Sequence, residues 1–437
     1  MQNYHKHSYY SNVLVTDCTA SPEDYVKRAL ELGHQVISTV EHGYQSDYYK
    51  YYNLVKENNA EVERLYQNGE ISELDRVQRT LKFIFGVEAY WVKDRTAEYP
   101  KTTKDKNGKE ETKYYKDGTN CHIILLAKNE KGRQDINGIL SEANISGFYK
   151  VPRIDLELLM SLNPRNVMIT TACVKYWVYE DIEEITLKLF KKFGKNFYLE
   201  VQPHDTKAQK KLNKRILKLH REYGIPIICG LDSHYIYAEE ETDRNNFLEG
   251  RGVIYDDDEE GWYMDYPDDA ELVRRFWVQG VLNDKEIAEC IDNTDVLLEF
   301  DDIEFDKEIK LPSIYPDKPQ EEKDEILKKL VWDAWEKEKV HIPAERHAEY
   351  EEGIRYELNA IINTHMSDYF LLDHAIVERG VANGGIITKT GRGSAVSYYI
   401  NSLLGFSSID RFTSPVKLYP DRFISETRIL KTRSLPD

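Results

Sequence analysis

The chain is 437 residues long and carries 59 lysines and arginines against 77 aspartates and glutamates, a formal net charge of −18. That length exceeds one ordinary core and suggests two or three domains at roughly 150 residues each, and the acidic balance excludes a general polyanion binder, so any contact with nucleic acid has to be local. Five cysteines without a CxxC pair argue against a disulfide framework and for a reducing, cytoplasmic setting; the N-terminus MQNYHKHSYYSN lacks the profile of a signal peptide, and no apolar run reaches the roughly 18 residues of a membrane span.

The chain opens on Tyr4-His5-Lys6-His7-Ser8. On a β-strand, where successive side chains alternate between faces, His5 and His7 point the same way and could close on one metal. The plainer alternative is an edge strand with two solvated histidines. From residue 1 to about 240, short apolar runs alternate with helical patterns, which is the signature of βα units around a parallel sheet. Residues 22–32 read as a helix capped by Ser21 and stopped by Gly33. Strand-like runs follow at 35–40, 83–90, 123–127, 167–171, 197–201 and 225–231, which with the opening run make about seven strands.

In βα barrels the reactive side chains gather at the carboxyl ends of the strands. The candidates fall there: Glu41 and His42, Glu88, Cys173, Glu200 and His204, then Asp232 and His234. His122 is the exception, because it precedes its strand; either that strand runs the other way or His122 enters from a loop. Each of these taken singly fits ordinary packing or a loop carboxylate. Together, histidine, carboxylate and thiol groups at strand end after strand end point to a multi-metal site, since carboxylates are rarely buried without a partner.

The motifs HKHS, VEHG, GVEAY, CHIILLAKNEKG, TTACV, YLEVQPHD and GLDSHY resemble, in order and spacing, the PHP (polymerase and histidinol phosphatase) domain that opens bacterial C-family replicative DNA polymerases. In that family nine residues hold up to three metals, and matched position by position they are His5, His7, Asp17, His42, Glu88, His122, Cys173, Asp232 and His234. Asp17 is placed by its spacing to the helix that starts near Pro22. Glu41 stands where the family usually has aspartate, and is expected to support the ligands rather than to bind metal. Such a mixed ligand set suits two to three Zn²⁺ or Mn²⁺ ions better than Mg²⁺ alone. The resemblance implies phosphodiester hydrolysis at a mispaired DNA 3′ end, a proofreading 3′ to 5′ exonuclease.

Residues 56–82 read as a solvated helix pair and residues 96–118 as a loop or hairpin. The acidic run Asp256 to Glu260 reads as a connector, placing a boundary near residue 265, with a PHP domain over 1–265 and a second domain over 266–437. Residues 268–293 are helical in pattern and resemble the start of a polymerase palm; residues 312–320 form a proline-bearing linker and residues 321–339 an amphipathic helix.

Residues 379–437 reverse the charge, with nine basic residues against four acidic ones. Within them lies Lys389-Thr390-Gly391-Arg392-Gly393-Ser394, followed by an apolar helical run to Leu404 and a stop at Gly405. Glycines ahead of a helix let backbone N–H groups face an anion, with Arg392 and Ser394 as further donors. The alternative is a plain glycine turn with Ser394 as N-cap. The upstream stretch SDYFLLDHAIVERGVANGGI, with GRGSAVS and the downstream SSIDR, YPDRFI and SLPD, resembles the palm of the bacterial DNA polymerase III alpha subunit. That resemblance implies that Gly391, Arg392, Gly393 and Ser394, with Lys389 and Arg422, hold the triphosphate of an incoming nucleotide.

Asp437 corresponds to the first carboxylate of the Pro-Asp-x-Asp pattern that binds Mg²⁺ for nucleotidyl transfer. One aspartate cannot hold two ions, so the 437 residues alone are expected not to extend primers. The implied partners are primer-template DNA, dNTP, and a downstream polymerase segment or other replisome subunits, with no membrane. The expected fold is α/β, a distorted βα barrel of PHP type followed by a partial α+β palm. The competing readings are a free-standing phosphoesterase of the histidinol-phosphatase kind and a non-catalytic scaffold whose metals only stabilise the fold.

Overall fold

The computed structural model describes residues 1–104, 110–253, 261–306, 312–388 and 391–432. The chain divides into two compact units, residues 1–305 and 306–437. The acidic run at 256–260, Lys389 and Asp437 lie outside the described residues.

Among the described residues the first unit has nine strands: β1 (Val36–Thr39), β2 (Lys82–Val92), β3 (Glu98–Lys104), β4 (Glu110–Lys116), β5 (Cys121–Ala127), β6 (Arg153–Asp155), β7 (Val167–Thr170), β8 (Phe197–Val201) and β9 (Ile227–Cys229). Seven of them make one curled sheet in the order β1-β2-β5-β7-β8-β9, with β6 added alongside β2. The pairings β1–β2, β2–β6, β7–β8 and β8–β9 are parallel. β5 runs antiparallel to both of its neighbours. This settles the position of His122: the strand is reversed, so its first residues stand beside the carboxyl end of β2, where Tyr90 pairs with His122 and Glu88 with Ile124.

The N-terminal run is the seventh expected strand, but it is not a ladder. It forms a single parallel bridge, Lys6 to Ser233, and the count of seven is completed instead by the short β6. The run nevertheless joins the two ends of the sheet: Ser38 Oγ donates to Tyr4 O on the β1 side at 2.6 Å, and His7 N–H donates to Ser233 O beyond β9 at 2.8 Å.

Side-chain alternation explains how the site is raised. One face of the sheet packs Val36, Ile84, Ile124, Leu126, Met168, Tyr198 and Ile228 into an inner apolar cluster with Tyr4 and Phe300. The other face joins the helices in the main core. With a period of two, the inner positions continue from Ile84 to Glu88, from Ile124 back to His122 and from Tyr198 to Glu200, so the polar groups stand on an apolar floor. Gly86 lies between them on β2, where a Cβ would meet the Leu126 side chain at 2.6 Å and Leu125 O at 2.8 Å.

The helix Pro22–Leu32 has the expected ends: Ser21 and Asp24 form a capping box, and Gly33 closes it at φ 70°. Of the expected solvated helix pair, Glu73–Arg79 buries nothing, whereas the other begins earlier, at Tyr48, and buries Tyr51, Tyr52, Val55 and Val62. Residues 98–104 and 110–116 pair as two antiparallel strands, β3 with β4.

The first unit extends past residue 265. Helices Asp269–Gln279 and Asp284–Asp292 belong to it, not to the start of a second domain, because Leu272, Phe276, Ile287 and Cys290 enter its main core. Asn213 Nδ2 donates to Gln279 Oε1 at 2.8 Å, and Arg221 to Glu286 at 2.7 Å.

Among the described residues the second unit carries helices and no strand, so the strands expected of an α+β palm are absent from them. Its helices Gln320–Glu338, His347–Asn363 and Ser367–Ala382 enclose a core around Trp335, Tyr350, Phe370 and Tyr399. The buried Glu357 carboxylate ties this core to the downstream chain, accepting from Ile400 N–H at 2.9 Å and from Arg411 Nε at 2.6 Å.

Candidate metal centre

All nine residues singled out in the first unit meet at one end of the sheet. Glu88 is the hub. Its Oε2 lies 2.6 Å from His42 Nδ1 and its Oε1 2.9 Å from His122 Nδ1, with His5 Nε2 at 3.5 Å and His7 Nε2 at 3.7 Å. Asp232 Oδ1 sits 3.2 Å from His5 Nε2 and 3.1 Å from His7 Nε2. Asp17 Oδ2 is 3.3 Å from His234 Nε2 and 3.9 Å from His42 Nε2. Cys173 joins through His122, with Sγ 3.4 Å from Nδ1. Asp232 itself is held at φ 52°, a left-handed conformation uncommon outside glycine that aspartate adopts more readily than most residues.

The donor atoms face one another without satisfying one another. Nε2 of His5, His7, His42 and His122 and Oδ1 of Asp232 are buried and make no hydrogen bond, although several lie within 3.2 Å of each other. Buried polar atoms are almost always paired. A cluster of unpaired ones around a common space is what a cation would satisfy, and imidazole, carboxylate and thiol donors fit a borderline transition ion better than a hard one. Among the described residues four triads bring three donor atoms within 4.8 Å: His7, His42 and His234; His5, His7 and Asp232; Asp17, Cys18 and His234; and His42, Glu88 and His122.

The electrostatics follow from burial and mutual charge. Burial opposes ionisation of Glu88, but His122 and His42 outweigh it and hold the carboxyl well below the usual range; His5 does the same for Asp232. His5 is driven well up, because Glu200 and Asp232 overcome the cost of burying its charge. His7 is pushed down to about 3 by burial and by the neighbouring His42. The Cys173 thiol is pushed well up by burial, with Glu88 and Asp232 adding to it.

Three further residues shape the centre. Glu200 accepts from His5 Nδ1 at 2.6 Å, from Tyr4 OH at 2.6 Å and from Gln202 Nε2 at 2.9 Å. It therefore turns the other nitrogen of His5 inward, as carboxylates behind metal-bound imidazoles do. Its strand-end position marked it as a candidate, but nothing in the sequence showed which histidine it would hold. Cys18 donates its thiol to Asp17 at 3.0 Å; sequence reasoning passed over it because it has no strand end or spacing to mark it. His204 accepts at Nδ1 from Tyr263 N–H at 3.1 Å, which places its proton on Nε2, a buried donor with no partner.

In the second unit Gly391, Arg392 and Gly393 form an irregular turn. Gly393 has φ 80°, and a Cβ on Gly391 would meet Val396 Cγ1 at 2.7 Å and Ile409 Cγ1 at 2.9 Å, so both positions require glycine. Arg392 is exposed, and Ser394 Oγ is buried without a partner. The continuous helix expected after this turn is instead a 3-10 turn, Ala395–Ser397, and a five-residue helix, Tyr399–Leu403. Helix-dipole support for an anion is correspondingly small, and the donors that remain are backbone and side-chain groups. The turn Pro420–Arg422 packs beside Ala395–Ser397, which brings Arg422 to the same neighbourhood.

Comparison with known proteins agrees with the two-part division. Residues 3–204 match the PHP domain family, and residues 325–437 match the bacterial DNA polymerase III alpha NTPase domain. The DNA polymerase III alpha subunit of Aquifex aeolicus is 25% identical over 461 residues, covering 99% of this chain and 35% of that protein. That of Helicobacter pylori strain 26695 is 24% identical, covering 99% and 34%. The DNA-directed DNA polymerase of Bacillus phage SPbeta is 24% identical, covering 93% and 34%. The chain thus spans about a third of the length of these curated relatives. No helix among the described residues is long and apolar enough to cross a membrane.

Proposed function

From a chain that joins a PHP domain to a DNA polymerase III alpha NTPase-domain segment, and so resembles the N-terminal region of those alpha subunits, we propose that the first unit is a metal-dependent phosphodiesterase that trims DNA 3′ ends. The observation that carries this reading is the convergence of His5, His7, Asp17, His42, Glu88, His122, Cys173, Asp232 and His234, with Nε2 of His5, His7, His42 and His122 unpaired. Two to three Zn²⁺ or Mn²⁺ ions held by these residues would supply Lewis acidity and a bound water acidic enough to act as nucleophile near neutral pH.

The chain's own groups do the rest. Glu88 orients two imidazoles and Glu200 a third. Neutral His204 offers Nε2–H as a hydrogen-bond donor to a phosphate oxygen. Tyr90, stacked near His42 and edge-on to His122, closes one wall of the site against water.

The second unit holds a nucleoside triphosphate on Gly391, Arg392, Gly393 and Ser394, with Lys389 and Arg422 adding charge. Nucleotidyl transfer requires Mg²⁺ on at least a pair of carboxylates. Asp437 corresponds to one of that pair. Its partners are primer-template DNA, dNTP and further polymerase or replisome subunits.

The test is direct. Purified protein with Mn²⁺ or Zn²⁺ should shorten a 3′-mispaired primer one nucleotide at a time, and His7→Ala should abolish the shortening. Hydrolysis of small phosphomonoesters but not DNA would favour a small-molecule phosphoesterase. Bound metal without hydrolysis of any phosphate ester would favour a scaffold.

A further inference from the structure

Behind the nine residues lies a second set of buried polar side chains, Lys6, Ser8, Ser11, Glu41 and Asp47, which the hydrolysis above does not use. Glu41 Oε1 accepts from Ser8 N–H at 3.0 Å and Ser8 Oγ–H at 2.6 Å. Glu41 Oε2 accepts from Ser8 N–H at 3.1 Å and from Ser11 Oγ–H. Lys6 lies on the far side, with Nζ bonded to Ser38 O, 3.2 Å from Ser38 Oγ and 4.2 Å above the Tyr51 ring. Its charge faces both Glu41 and Asp47, so the carboxylates are not buried alone.

Ser11 is where this set reaches the metal centre. Its hydroxyl proton is committed to Glu41, so its oxygen can only accept, and two groups address it: the backbone N–H of His42 at 3.1 Å and Nδ1 of His7 at 3.4 Å. An accepting oxygen at Nδ1 places the imidazole proton there and leaves the lone pair on Nε2. That Nε2 is the buried, unpaired atom 3.1 Å from Asp232 Oδ1. The His7 and His42 rings stack with centroids 3.9 Å apart, so one oxygen fixes the register of both.

We propose that Glu41 and Ser11 are positioning residues: together they hold His7 as its Nδ1–H tautomer and tie the His7 segment to the His42 turn, so that both Nε2 atoms address one divalent cation. This rests on reading the cluster as a metal centre. Glutamate suits the task because one carboxylate must reach Ser8 and Ser11 at once.

Two measurements on the full chain test it. In metal-free protein labelled with ¹⁵N-histidine, long-range ¹H–¹⁵N spectra should show the His7 proton on Nδ1, and Ser11→Ala should shift it to a mixture of tautomers. Zn²⁺ affinity, read by competition with a chromophoric chelator, should fall about 10- to 100-fold in Ser11→Ala and in Glu41→Gln, and Ser11→Thr should restore most of it. A lowered melting temperature with wild-type Zn²⁺ affinity would mean a merely structural role and overturn the proposal, as would a wild-type His7 protonated on Nε2. Should the wild type take up no Zn²⁺ or Mn²⁺ while His7 still shows the Nδ1–H form, it is the metal reading that fails, and the positioning of His7 stands without its cation.

Discussion

The two units meet charge in opposite ways. In the first, every candidate ligand is withdrawn from water, and even the most accessible carboxylate, Asp232, is only 16% exposed. Desolvated charges have to be compensated at all times, so the carboxylates Glu88, Asp232 and Asp17 each stand among imidazoles. In the second, Arg392 and Arg422 remain exposed and the turn is shaped by glycine backbone, with Ser394 Oγ buried beside it. Such a turn is nearly free of energetic consequence until an anion arrives. A buried cluster of the first kind is therefore part of the fold, whereas an exposed turn of the second kind is carried by it.

That contrast is sharpened most by Glu88→Ala. It strips His42 and His122 of their partner at once, and in chelated protein it should cost about 3–5 kcal/mol of unfolding free energy, read by urea denaturation, with complete loss of metal uptake. A loss below about 1 kcal/mol would break the comparison, because the cluster would then not be part of the fold.

Gly230→Ala probes the same idea indirectly. A Cβ there would lie 2.2 Å from the Glu200 carboxylate, which would have to leave His5. The expected cost is about 1–3 kcal/mol, together with weakened Zn²⁺ binding measured by chelator competition.

The pH dependence has a fixed sign. His5 titrates above its ordinary value of 6.5 in metal-free protein, so near neutral pH it carries a proton that a metal must displace. Apparent Zn²⁺ affinity should therefore rise with pH from 6 through the His5 value by about tenfold per unit for one proton. Calorimetry in two buffers of different ionisation enthalpy should count about two protons released, one from His5 and one from the Cys173 thiol, which binds metal as the thiolate. In the absence of metal the raised value stabilises the fold below 6.5, and that contribution is lost as pH rises through it.

The smallest effect on the fold belongs to the second unit. Arg392→Ala should change stability by less than about 0.5 kcal/mol, yet weaken binding of a labelled dNTP by about tenfold, as expected when one charged donor to phosphate is removed. A large loss of stability would make Arg392 a structural residue.

How much of this was legible beforehand differs between the units for the same reason. Strand periodicity located six ladder strands of the barrel, and chemistry-bearing residues at their ends marked the cluster, because groups such as His122, Glu88 and Asp232 seldom end apolar strands for the sake of packing alone. The reversal of β5 was not readable, since a short apolar run has no direction; only the misplaced His122 hinted at it. The boundary near residue 265 followed a charge run, but Leu272, Phe276 and Ile287 bury against the first unit, and charge composition says nothing about where an amphipathic helix docks. The long helix after Ser394 was read from apolar periodicity, which cannot register the break at Tyr398 between the 3-10 turn and the short helix. Ser11, Glu200 and Cys18 act through contacts that span distant segments or a single side chain, and neither leaves a repeating signal in a sequence.

The central claim is that the nine side chains of the first unit share bound cations. Crystals grown with Mn²⁺ and measured near its absorption edge test it most directly. Anomalous peaks should fall among His5, His7, Asp17, His42, Glu88, His122, Cys173, Asp232 and His234, with Nε2 of His7 and a carboxylate oxygen of Asp232 within about 2.3 Å of a peak. An ordered cluster with no anomalous density, or density only at the surface, would contradict the account.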